Sequence, residues 1–119
     1  MKDCLFCRIA NKKQEADIVY EDDKIMAFEN IRPLAPVHLL VIPKRHIDSV
    51  NDINEEDGNL IGYIWSKIKE IAEIKNVQKS GYKVIVNVGK GGGQEIFHLH
   101  YHLLGGWKSS DDRDLPNMP

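Results

Sequence analysis

Three histidines alternate with apolar residues in the segment Phe97-His98-Leu99-His100-Tyr101-His102-Leu103-Leu104-Gly105-Gly106. In an extended chain successive side chains point to opposite faces, so His98, His100 and His102 share one face and Leu99, Tyr101 and Leu103 the other. Burying three imidazoles without partners is costly, and aliphatic side chains would pack better in their place. The row therefore suits a nucleophile, a proton carrier or a metal ligand. Histidine is well matched to one reaction in particular. A neutral ring nitrogen can attack phosphorus, and the bond it forms stays reactive because the ring is a good leaving group. That chemistry needs an acceptor for the other ring nitrogen and a donor for the departing group.

A glycine-rich stretch leads into the row: Asn87-Val88-Gly89-Lys90-Gly91-Gly92-Gly93-Gln94-Glu95. Glycine permits positive φ and close backbone approach, so consecutive N–H groups here are expected to form a concavity for an anion. Taken alone, the glycines read as a flexible hairpin loop. No P-loop is present, because the Gly-Lys-Ser/Thr ending is missing. His38 opens an apolar run after Pro36-Val37. By itself it reads as a core histidine, whereas strand pairing would bring it to the row. Cys4-Leu5-Phe6-Cys7 has the spacing of half a tetrahedral zinc site, and His46 and His98 are available to complete a closed, structural set. Two unpaired buried thiols are the alternative reading, and a thioredoxin-type redox motif would need a βαβ setting that this chain lacks. Lys44, Arg45 and Lys90 read as solvated surface charge.

A small fold must position these groups. The chain has 119 residues and 42% hydrophobic content, which suits one domain with its own core. A net charge of −2 supplies no basic field for nucleic acid, and no apolar run reaches membrane-spanning length. With no basic-then-apolar leader pattern and no disulfide framework, a cytoplasmic protein is expected. The spacing predicts a short helix over residues 4–12, then strands over 18–21 and 25–29 around the turn Asp22-Asp23-Lys24. A loop at Pro33 and Pro36 leads to a third strand over 38–43. Asn54, with Asp57 three residues on, is expected to cap the only long helix, where Ile61, Ile64, Trp65, Ile68, Ile71 and Ala72 recur at helical spacing. Two more strands follow over 82–88 and 98–104. That order predicts an α+β meander in a single domain over 1–107, with a polar tail over 108–119.

The run His98-Leu99-His100-Tyr101-His102-Leu103-Leu104 resembles the signature of the histidine triad superfamily. Phe28-Glu29-Asn30-Ile31, the run from Ala35-Pro36-Val37-His38 to Pro43-Lys44, and Gly92-Gly93-Gln94 are similar to its nucleotide-binding hydrolase branch. The resemblance spans nearly the whole chain. It implies a five-stranded antiparallel sheet with one long and one short helix, pairing as a homodimer. It also implies hydrolysis of purine nucleoside phosphoramidates and aminoacyl adenylates through a nucleotidyl-histidine intermediate. By position, His100 resembles the nucleophile, with His38 and His102 orienting it and handling protons. Leu5, Phe6, Ile9, Phe28 and Ile31 resemble the purine and ribose pocket, and Asn30 occupies the ribose-binding position. Asn87, Gly93, Gln94 and Glu95 resemble the loop around the phosphate. Zinc-bearing members hold their metal at positions matching Cys4, Cys7, His46 and His98, so a structural zinc and no catalytic metal are expected. The partners implied are a purine nucleoside monophosphate, or its phosphoramidate or adenylate esters, and a second copy of the chain, with no nucleic acid and no membrane.

Two positions depart from the family pattern. Asn30 stands where the branch often places an aspartate on the ribose hydroxyls, and an amide is a weaker acceptor than a carboxylate. Glu95 stands where some members have a serine that donates to the reacting phosphate. A carboxylate there either turns away from the phosphate or meets a cationic leaving group. Three other readings stay open at this point: a hydrolase with catalytic zinc on the histidine row, a dinucleoside polyphosphate hydrolase, and a nucleotide-binding regulatory module without turnover.

Overall fold

Among the described residues the fifth strand is inserted between the third and fourth, and that insertion builds the site. The computed structural model describes residues 3–108, so the expected tail lies outside the described residues except for Lys108. In chain order the elements are α1 (Leu5–Ala10), β1 (Ile18–Glu21), β2 (Ile25–Glu29), β3 (Val37–Pro43), α2 (Gly58–Ile74), β4 (Tyr82–Ile85) and β5 (Tyr101–Gly105). The sheet order is β1-β2-β3-β5-β4, with each neighbouring pair antiparallel. This is the expected α+β architecture of five strands with one long and one short helix.

Strand alternation gives the sheet two apolar faces. Ile25, Ala27, Leu39, Val41, Tyr101 and Leu103 meet Ile64, Ile68, Ile71 and Ala72 of α2 on one face. Met26, Phe28, Leu40 and Ile42 meet Phe6 and Ile9 of α1 on the other. Burying each large aliphatic side chain contributes about 1.5–3 kcal/mol relative to exposing it, so the two helices are held chiefly by these contacts. Polar bonds fix their placement. The N–H of Asn54 donates to the Asp57 carboxylate at 2.8 Å, and a 3₁₀ turn over Glu55–Asp57 leads into α2. Tyr63 of α2 donates to Asp22 in the β1–β2 turn, where Tyr20 also donates at 2.8 Å. Burial pushes the Asp22 carboxyl upward, but these hydroxyls and the N–H groups of Lys24 and Ile25 outweigh it and hold the group at about 2.

The fifth strand begins later than its sequence pattern predicts. The ladder between β3 and β5 runs from Val37↔Gly105 to Val41↔Tyr101. Continued, that register would match His100 with Ile42 and then Leu99 with Pro43, which has no N–H to give. The Pro43 carbonyl is taken by His98 Nε2 at 2.7 Å, and Leu99 N–H donates to Ile47 O at 2.6 Å instead. Residues 98–100 thus leave the sheet while keeping their alternation: Leu99 packs in the α2-facing core, and His98 and His100 face α1. β4 likewise stops at Ile85, short of the predicted 88, as the chain turns into the glycine loop.

Candidate active site and metal centre

A cleft of about 770 Å³ opens on the α1 side of the sheet, with His100 and His102 in its wall. Antiparallel register places His102 opposite Leu40, so His38, two residues earlier on β3, is its diagonal neighbour. His38 Nε2 lies 2.9 Å from His102 Nδ1. The N–H of Leu34 donates to His38 Nδ1 at 3.0 Å, so a neutral His38 must carry its proton on Nε2. That proton is donated to His102 Nδ1, which leaves the His102 proton on Nε2, the ring nitrogen available to the cleft.

His100 has the opposite polarity. Its Nδ1 sits 2.8 Å from the carbonyl oxygen of His98, which can only accept. The proton therefore sits on Nδ1, and Nε2 keeps a free lone pair. Phe6 packs its ring edge-to-face on His100 with centroids 5.1 Å apart, and His102 lies 5.2 Å away on another side. Burial lowers the pKa of His38 and His100 below 6.5, with the bond to the His98 carbonyl opposing the shift at His100. Burial, reinforced by the neighbouring His100 and His38, takes His102 down to about 3. All three rings are neutral at pH 7, one offering a lone pair and one offering a proton.

Leu5, Phe6, Ile9, Phe28, Asn30, Ile31, Asn87, Gly93 and Glu95 line the same cleft. His38 stands behind His102 rather than in the wall. Asn30 Oδ1 accepts the Arg32 N–H at 3.0 Å, and its Nδ2 lies 3.2 Å from His38 Nε2. Since both atoms carry protons, that second contact adds no hydrogen bond. Gln94 is a correction to the sequence reading: its side chain is buried and braces the loop instead of facing the cleft. Its Oε1 accepts the Gly89 N–H at 2.9 Å, and its Nε2 donates to the carbonyls of Asp48 at 2.8 Å and Ile96 at 3.0 Å.

The glycine loop also differs from expectation. The N–H groups of Gly92, Gly93 and Gln94 donate to Gly89 O, Lys90 O and Gly89 O at 3.2, 3.0 and 3.0 Å, closing a 3₁₀ turn. They are therefore committed within the loop and do not form an open anion concavity. Asn87 Nδ2 donates one proton to Gly92 O at 2.8 Å and has a second to offer. The structure adds Gln14, Glu15, Ala16, Arg32, Leu34, Leu40 and Ile96 to the cleft wall, none of them singled out by sequence. Lys44 and Arg45 are occupied elsewhere, by Glu21 and Asp57.

Beside the cleft, one ligand atom from each of Cys4, Cys7, His46 and His98 falls within 4.8 Å of all the others, close enough to hold a metal ion. Cys4 caps α1, its Sγ accepting the Cys7 N–H at 3.3 Å. His98 donates Nε2–H to Pro43 O, and His46 Nε2 lies 2.5 Å from the Asp48 carboxylate. Each ring is thereby turned so that its Nδ1 faces the thiols, the outer-partner arrangement that orients metal-binding histidines. Burial, with the neighbouring Cys4 next in weight, raises the Cys7 thiol to about 11.

A family model described as "Scavenger mRNA decapping enzyme C-term binding" matches residues 3–113. The chain is 40% identical over 105 residues to a protein of Escherichia coli K12 named purine nucleoside phosphoramidase, covering 88% of each. Among solved structures it is similar to a HIT family hydrolase from Legionella pneumophila, with a TM-score of 0.87 and 47% identity over 89% of this chain and 95% of that one. It is also similar to a Zn-bound histidine triad family protein from Mycobacterium smegmatis, with a TM-score of 0.74 and 28% identity over 90% and 77% of the two chains.

Proposed function

This chain belongs to the histidine triad superfamily, and from that membership we propose that it hydrolyses purine nucleoside phosphoramidates and aminoacyl adenylates through a nucleotide bound covalently to His100. The observation that carries this reading is the polarity of the two cleft histidines. His100 holds its proton on the buried side and turns a lone pair to the cleft, while His102 turns an N–H to the same space.

In the first step His100 Nε2 forms a bond to the α-phosphorus as the bond from phosphorus to the leaving group breaks. An aminoacyl carboxylate departs as it is, whereas an amine takes a proton from solvent at the open mouth of the cleft. The ring then carries phosphorus on Nε2 and a proton on Nδ1, and the His98 carbonyl sits where this positive charge develops. His102 Nε2–H and the second Asn87 amide proton are the donors for the phosphoryl oxygens. His102 is more useful as a fixed donor than as a proton carrier, because giving up its proton would leave an imidazolate. In the second step water attacks phosphorus, its proton leaves to solvent, and neutral His100 is released. Leu5, Phe6, Ile9, Phe28 and Ile31 supply the apolar walls for the purine and ribose.

The metal reading is zinc in a structural role. Tetrahedral zinc with bonds of about 2.3 Å to sulfur and 2.0–2.1 Å to nitrogen puts neighbouring S and N ligands about 3.6 Å apart. The separations are 3.5 Å for Cys4–His98, 3.6 Å for Cys7–His98 and 3.2 Å for Cys7–His46. Four protein ligands leave no open position, so the zinc would tie α1 to the segments flanking β3 and β5 without entering the reaction. Homodimerisation has its own support: β4 is an edge strand, and on the neighbouring surface Trp65 is 48% exposed with its ring on Tyr101. A free sheet edge and exposed aromatic surface are features that pairing covers.

The test of the reaction is turnover of adenosine and guanosine phosphoramidates by the wild type and by His100→Ala. The variant is expected to bind the monophosphate and to hydrolyse nothing. Hydrolysis at near wild-type rate would refute the nucleophile, and binding without turnover by the wild type would favour a regulatory module.

A further inference from the structure

Resting on that reading of His100, we infer that the Cys4-Cys7-His46-His98 centre positions the nucleophile: a metal bound there holds the His98 peptide so that its carbonyl fixes the His100 tautomer. The segment that carries this carbonyl has no sheet to hold it, because the β3–β5 ladder ends at Val41↔Tyr101. Three anchors remain within two residues. His98 Nε2–H bonds to Pro43 O, Leu99 N–H bonds to Ile47 O, and His98 Nδ1 lies 3.5 and 3.6 Å from the two thiols. The carbonyl of the same residue receives His100 Nδ1–H at 2.8 Å.

Two further contacts join the centre to the cleft. Phe6 lies between the two cysteines on α1 and packs edge-to-face on both His98 and His100, with centroids 6.0 and 5.1 Å away. A helix of six residues cannot stand alone, so the ring is only as fixed as the attachments of α1. On the far side His46 meets Asp48, whose carbonyl receives Gln94 Nε2–H at 2.8 Å, and Gln94 in turn holds the glycine loop through Gly89. The nucleophile, the ring that packs on it and the loop opposite are thus all tied to the metal-binding residues. If the His98 carbonyl drifts, the His100 ring loses the hydrogen bond that holds its proton on Nδ1, and the lone pair that should face phosphorus is shared between two orientations.

The experiment compares the zinc-loaded chain with the chain after chelation and with zinc restored. The first readout is the ¹⁵N resonances of the His100 ring. The second is the single-turnover rate of adduct formation from an adenosine phosphoramidate, and the third is the Kd for AMP. With zinc, His100 is expected as one Nδ1–H tautomer. Without it, both tautomers should be populated, with adduct formation slower by at least about ten-fold, the loss typical when a supporting hydrogen-bond shell is disturbed. AMP affinity should fall by less than the adduct rate does, since Phe28, Asn30 and Ile31 line the cleft outside α1, and added zinc should restore the tautomer and the rate. A single Nδ1–H tautomer and an unchanged rate in the folded, zinc-free chain would overturn the inference.

Should chelation unfold the protein, His98→Ala serves in its place. It keeps the peptide and three metal ligands but cuts the link between them, and a folded, zinc-bearing His98→Ala protein with a fixed tautomer and full rate would equally overturn it. An adduct mapped to a residue other than His100 would refute the nucleophile, whereas a tautomer that still responds to zinc would uphold the coupling.

Discussion

The proton between His38 and His102 belongs to His38. Their nitrogens are 2.9 Å apart, and the Leu34 N–H, by occupying His38 Nδ1, decides which ring donates. Removing His38 should therefore leave the substrate pocket intact and free His102 to present either a proton or a lone pair. His38→Ala is expected to lower kcat by roughly 10- to 100-fold, the range for an outer hydrogen bond that sets a ligand's tautomer. KM for the phosphoramidate should stay nearly constant. Steady-state kinetics check this, and a raised KM at unchanged kcat would place His38 in substrate binding instead.

The acid limb of activity should lie below the ordinary titration range of histidine. His38 is lowered by burial and His102 is taken to about 3, so both stay neutral in the folded protein as pH falls through 6.5. In the unfolded chain they take up protons near 6.5. The His102 contribution to stability is thus complete above that pH and is lost as pH falls from 6.5 toward about 3, by roughly 1 kcal/mol per pH unit, and His38 acts in the same direction. Ring ¹⁵N shifts recorded from pH 8 to 5 should show His102 unprotonated throughout and His38 with a midpoint below 6.5. Midpoints near 6.5 would contradict the assigned tautomers.

Two neighbouring glycines should respond differently to the same change. Gly93 has φ +87°, and a Cβ there would stand 3.3 Å from Asn87 Nδ2, whereas one at Gly92 meets nothing within 4 Å. Gly93→Ala is expected to cost about 1–2 kcal/mol from the left-handed backbone alone and to raise KM by displacing the Asn87 donor. Gly92→Ala should change stability by less than about 0.5 kcal/mol. Denaturant titration of both variants measures the contrast, and equal losses would mean that φ at Gly93 does not limit the loop.

Zinc should stabilise the fold by mass action. At a free concentration of about 100 times its Kd, a ligand that binds only the native state adds about 2.7 kcal/mol. Calorimetry should show Tm rising with zinc and falling with chelator, and elemental analysis should return one zinc per chain. Protein purified without chelator that contains none would remove the zinc assignment.

Much of this was readable from residue types. The period-two histidine row and the Cys-x-x-Cys with its two histidines are side-chain patterns, and their positions follow from strand and helix geometry; Asn54, expected to cap the long helix, instead caps the 3₁₀ turn before it, and Asp57 stands at the N-cap of α2. What the sequence hid is carried by the main chain. Leu34 sets the His38–His102 proton through its N–H, which any residue but proline would supply, so its side chain gives no signal. The start of β5 at Tyr101 depends on which residue faces Pro43, a matter of register. The glycine loop looked like an open anion nest, yet Gly89 and Gly93 at positive φ let it close a 3₁₀ turn that consumes its own N–H groups, with buried Gln94 as the brace.

The most direct measurement is to acid-quench the enzyme during turnover of an adenosine phosphoramidate and locate the modified residue by mass spectrometry. AMP should be found on His100 alone, and absent in His100→Ala. AMP on another side chain, or hydrolysis that proceeds at full rate with no covalent nucleotide at any quench time, would contradict the account.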